Sequence, residues 1–173
     1  GNVDVLVAEM KRINRRIVTD ALTLIVMAYH NSLDVFESFE HVYINYRSIT
    51  TIQQAYLSGE YPLISEILDW IQTANNIVFE ADGFIDEEDQ AVKLFSADYV
   101  ACCNIAIKRD SPFLYCDRLA PIVQSMSEST TSPDVQFVSI PAVCNKVFAV
   151  IPERLNDLLY SYLKVPNCAG TAM

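Results

Sequence analysis

Four short runs of strand-forming residues, each followed by a helical pattern, constrain this chain more than any other feature. Arg16-Ile17-Val18-Thr19-Asp20, His41-Val42-Tyr43-Ile44-Asn45, Phe113-Leu114-Tyr115-Cys116-Asp117 and Val135-Gln136-Phe137-Val138-Ser139-Ile140 read as strands. Asn76-Ile77-Val78-Phe79-Glu80 reads as either a short strand or an extended loop. Strands alternating with helices predict an α/β fold, because parallel neighbours need crossover connections that are usually helical. The near-continuous apolar character of the runs predicts a sheet covered on both faces. The expectation is a central, mostly parallel sheet of four to five strands flanked by helices, formed within 15–165. An N-terminal helix or linker precedes it at 1–14 and a frayed tail follows from 166.

Helical patterns fill the intervals. Val3, Leu6, Val7 and Met10 form a stripe that runs into Lys11, Arg12, Arg15 and Arg16. Helices are predicted over 21–30, 33–39 and 48–57, from Pro62 with the stripe Leu63, Ile67, Trp70 and Ile71, and over 118–126. A long helix is expected over 88–108 with a break near Ser96, and two more start at Pro141 and Pro152. The acidic stretch from Asp86 to Asp89 suits a helix start, and the run from Glu80 to Asp89 reads as a solvated charge cluster.

Composition then narrows the chemistry. The 173 residues include 22 acids against 12 Lys and Arg, a formal charge of -10, so no broad basic face is available to a duplex. Only Gly59 and Gly83 lie away from the ends, which excludes a dinucleotide-binding glycine loop, a Walker loop and a nucleophile elbow. The five cysteines have no C-x-x-C spacing and read as reduced thiols of a cytoplasmic protein. No apolar run reaches the ~20 residues of a membrane span, and no secretory leader is visible. Gly1 in place of Met reads as a tag remnant or as an excised piece of a longer chain. His30 and His41 lack a Ser or Cys partner at motif spacing.

Three acids remain as candidates for chemistry. Ligands of open parallel sheets bind outside the carboxyl ends of the strands. Asp20 and Asp117 each end a predicted strand, so parallel pairing would put both on one edge. Each also suits an N-cap of the helix that follows. Asp98, Ala101, Cys102 and Ile105 share one helix face, and a helix leading into the strand at 113–117 brings Asp98 to the same edge. Three converging carboxylates suit Mg²⁺ or Mn²⁺, hard ions that take oxygen ligands.

The segments R-I-V-T-D-A-L-T-L at 16–24, A-D-Y-V-A-C-C-N-I-A at 97–106 and S-P-F-L-Y-C-D-R-L-A at 111–120, followed by V-Q-F-V-S-I, resemble a PIN domain. The similarity runs from Arg15 to Phe148 and is nearest to the variants found in larger bacterial proteins beside helical repeats. By this resemblance Asp20 matches the first acid of the family, Asp98 the third and Asp117 the fourth. The second acid, usually a Glu on the helix after the second strand, falls near Ser48 to Gln54, which holds no carboxylate. Position 116, often acidic, is Cys116. The resemblance implies a Mg²⁺- or Mn²⁺-dependent endoribonuclease acting on single-stranded RNA. The missing acid implies the alternative, a degenerate module that binds RNA or a protein partner such as a helical-repeat segment.

Overall fold

The computed structural model describes residues 2–59, 61–81, 85–116, 135–149 and 151–164. The strands are β1 (Arg16–Thr19), β2 (His41–Asn45), β3 (Ile77–Glu80), β4 (Phe113–Leu114) and β5 (Phe137–Val138). They form one five-stranded sheet in the order β3-β2-β1-β4-β5. Every pairing is parallel, with Thr19 opposite Ile44 on one side and Leu114 on the other. The expected α/β class is the one observed.

The helices are α1 (Asn2–Arg12), α2 (Ala21–Tyr29), α3 (Tyr46–Leu57), α4 (Tyr61–Thr73), α5 (Gln90–Leu94), α6 (Ala97–Lys108), α7 (Ile140–Phe148) and α8 (Pro152–Lys164), with a 3-10 helix at Leu33–Ser38. Successive strand residues point to opposite faces, so Ile17 and Val18 enter different cores although both are fully buried. Ile17, Val42 and Ile44 join residues of α2, α7 and α8 on one face. Val18, Tyr43 and Phe113 pack with α5 and α6 on the other. Coverage on both faces explains why the strands carry no polar alternation.

α1 is attached to the sheet rather than free of it. The Arg12 guanidinium donates to the Phe137 carbonyl at 3.1 Å, and Ser139 Oγ donates to Glu9 Oε2 at 2.9 Å. Ser139 also caps α7, accepting from the Ala142 N–H.

The expected break near Ser96 is observed, and two other local expectations differ from the structure. The region 88–108 is two helices, α5 and α6, because Ser96 has an extended backbone and caps α6 afresh, its Oγ accepting from the Tyr99 N–H at 2.9 Å. Asp98 therefore sits in a first turn, where the helix dipole favours an anion. β4 and β5 each span two residues, shorter than their apolar runs, since after Leu114 the Cys116 N–H leaves the ladder for Thr23 Oγ1. Glu80 is not a solvated charge. It is 6% exposed at the end of β3 and pairs with Arg109 and, at 3.7 Å, with Lys108. Asp86, Glu87 and Glu88 are exposed as expected, and Asp89 caps α5. The helix expected over 118–126, the loop after it and the tail from 166 lie outside the described residues.

Cys102, Cys103, Cys116 and Cys144 are buried free thiols. Among the described residues, no helix is long and apolar enough to cross a membrane.

Candidate functional site

β1 is the hub of the sheet. The chain moves outward from β1 to β2 and β3, then returns to the other side of β1 as β4 and β5. The carboxyl edge between β1 and β4 is thus a topological switch point, where the flanking connections diverge and leave a crevice. Asp20 follows β1 directly. It caps α2, its Oδ1 accepting from the Thr23 N–H at 3.0 Å. Capping and site membership are compatible, because the cap occupies only part of the carboxylate's acceptor capacity.

Asp98 reaches the same point from the opposite face. Tyr99 is wholly buried against Phe95 and Tyr115, with ring centroids 4.7 and 4.9 Å away, and this holds the start of α6 against the sheet. Asp98 Oδ2 accepts a long hydrogen bond, 3.4 Å, from the Ala21 N–H, the first amide of α2. Asp98 Oδ1 accepts from Ser48 Oγ at 2.5 Å, and the Cys102 thiol lies 3.7 Å from the same oxygen. Two acids 78 positions apart in sequence therefore share the N-terminus of α2.

Their electrostatics follow from that geometry. Burial, with the Asp98 charge second, pushes the Asp20 carboxyl up from 3.8 to about 7. Burial first, and then the Asp98 charge, also raise the Cys102 thiol well above its ordinary range. Cys102 is accordingly a neutral neighbour and not a thiolate.

The third predicted acid, Asp117, lies outside the described residues. Its predecessor Cys116 is buried, and the Cys116 N–H donates to Thr23 Oγ1 at 3.2 Å, so the chain after β4 meets the first turn of α2. Among the described residues, no group of three or more His, Cys, Asp and Glu side chains is arranged to hold a metal ion. Asp20 and Asp98 are a pair. Their donor set, the oxygens of two carboxylates, fits a hard divalent cation.

Ser48 is the site residue that sequence reasoning missed. It is fully buried in the first turn of α3 and lies in the stretch where the resembled family carries its second acid. Its hydroxyl supports Asp98 and adds no charge. Thr19 Oγ1 and Asn45 Nδ2, at the ends of β1 and β2, are buried with no hydrogen-bond partner among the described residues. Only the tertiary arrangement identifies them.

Glu80 of the charged run and His30 are engaged outside the Asp20–Asp98 pair. Glu80 is committed to Arg109 and Lys108, and Asp82 is outside the described residues. His30 Nδ1 shares a 2.7 Å hydrogen bond with Ser161 Oγ, and its ring stacks on Tyr162 with centroids 3.7 Å apart. Burial lowers the His30 pKa, consistent with a neutral imidazole joining the end of α2 to α8.

No protein-family model matches the chain, and no curated protein shows significant similarity to it.

Proposed function

We propose that the chain is a PIN-like module that hydrolyses RNA phosphodiester bonds at a Mg²⁺ or Mn²⁺ site formed by Asp20, Asp98 and Asp117. The observation that carries this reading is the Asp20–Asp98 pair at the sheet's switch point, Asp20 buried and Asp98 half-buried, with Asp20 pushed up to about 7 by burial and the neighbouring carboxylate. Such a pair is stabilised by a cation between its members or by a retained proton. Ser48 and the Ala21 amide orient Asp98, while Thr23 orients Asp20, so both carboxylates are set before any ligand arrives. A divalent ion bound there supplies Lewis acidity to a phosphate oxygen and lowers the pKa of a water. The buried free thiols support assignment to a reducing compartment, the cytoplasm.

The test is hydrolysis of single-stranded RNA in Mn²⁺ by the wild type, Asp20→Asn and Asp98→Asn. Activity in the wild type and its loss in both variants is expected. Equal rates in all three overturn the reading.

A second reading, a module without turnover that binds RNA or a protein partner such as a helical-repeat segment, is supported by Ser48. It stands in the stretch where the resembled family has its second acid and donates to Asp98 in place of a further carboxylate. Absence of hydrolysis by the wild type, with RNA binding retained, supports this alternative.

A further inference from the structure

Beside the acid pair, the molecule opens into a cavity of about 450 Å³, in the size range of small-ligand sites. Tyr46, Arg47 and Thr50 of α3 form one wall, and Ser96 and Asp98 form the other. Tyr46 is 54% exposed although it is the first residue of a helix that follows a buried strand. Its ring lies nearly parallel to that of Phe79 on β3, with centroids 6.0 Å apart and planes 28° apart, and Phe79 is itself 38% exposed. An exposed aromatic ring that lines a cleft containing a carboxylate of the candidate site, and is backed by a second exposed ring, is poorly explained by packing alone. Arg47 is the one cation in the cavity wall among the described residues. The adjoining Asn45 keeps a buried amide donor, Nδ2, with no partner among those residues.

Resting on the reading of Asp20 and Asp98 as a phosphodiester site, we propose that Tyr46, backed by Phe79, is a stacking platform for a nucleobase of single-stranded RNA, with Arg47 contacting the adjoining phosphate. The strand then crosses the cavity toward Asp98. A base offers its π-face only when unpaired, so the platform selects single strands. Stacking also resolves the difficulty posed by a charge of -10, because it draws affinity from apolar and π contact and not from a basic surface. One phosphate contact through Arg47 predicts a shallow salt dependence, with a log–log slope of about -0.7.

The experiment is fluorescence anisotropy of a labelled oligo(A) RNA octamer with the whole chain in EDTA, beside an octamer carrying abasic sites. The wild type is expected to prefer the intact octamer. Tyr46→Ala weakens binding by about tenfold and removes the preference, whereas Tyr46→Trp retains both. Arg47→Gln flattens the salt slope. Unchanged far-UV circular dichroism of Tyr46→Ala shows that the fold is kept. No binding by the wild type, equal binding of the two octamers, or wild-type affinity in Tyr46→Ala overturns the platform. These readouts need neither metal nor turnover. Failure of the acid site, seen as full hydrolysis by Asp20→Asn, is therefore distinguishable from failure of the platform.

Discussion

Replacing Asp20 by Asn should make the protein more stable at alkaline pH. Asp20 is 4% exposed, and burial together with the Asp98 charge moves its carboxyl from 3.8 to about 7. The folded state keeps the proton over this interval while the unfolded chain releases it. Stability from this group is therefore greatest below the lower value, falls as pH rises through the interval, and is flat above the upper value. A displacement of about 3 pH units at about 1.36 kcal/mol each amounts to on the order of 4 kcal/mol for the ionised form at pH 8. Asn caps a helix as well as Asp does and brings no charge, so the Thr23 contact survives. The expected gain of Asp20→Asn is about 2–4 kcal/mol at pH 8, declining to near zero at pH 4. Urea denaturation in EDTA, followed by the fluorescence of Trp70, the chain's single tryptophan, measures it at both pH values. Millimolar Mg²⁺ should stabilise the wild type at pH 8 and leave the variant unmoved. A pH-independent difference, or a less stable variant at pH 8, would refute the electrostatic argument.

Ser48→Ala removes the donor to Asp98 and should cost about 1.5–3 kcal/mol in denaturant unfolding, as for other hydrogen bonds to charged groups. Thr23→Val keeps the shape of α2 but strips the acceptor from the Cys116 N–H, a buried contact between α2 and the chain after β4, so a loss of about 1–3 kcal/mol is expected. Glu80→Gln should destabilise by about 1–2 kcal/mol, because Glu80 is buried but the Arg109 side chain is 38% exposed and is solvated when its partner is lost, while Mn²⁺ affinity measured by calorimetry stays at the wild-type value. A fall in Mn²⁺ affinity in that variant would show that Glu80 belongs to the site.

The sheet was legible because its strands are short β-branched and aromatic runs with little polar alternation, a pattern that parallel pairing and two-sided coverage require. The Asp20–Asp98 meeting was legible for a related reason: strand ends and the starts of preceding helices share one edge in a parallel sheet. Ser48 was not legible, since a serine in a helix's first turn has many uses and only contact with a residue 50 positions away gives it this one. Glu80 misled because sequence shows a charge run but not its partners, and Arg109, which withdraws Glu80 from solvent, lies 29 positions on. The break at Ser96 was visible as a polar interruption, but its consequence, Asp98 in a first turn, depends on the backbone there.

The most direct measurement is a crystal of the chain soaked in Mn²⁺ and read by anomalous scattering. One ion is expected, bound by Asp20 and Asp98 directly or through a water, with Asp117 as the third carboxylate and direct metal–oxygen distances of about 2.0–2.6 Å. An ion bound elsewhere, or no ion at the carboxyl edge of β1 while Mn²⁺ is in millimolar excess, would contradict the proposed site.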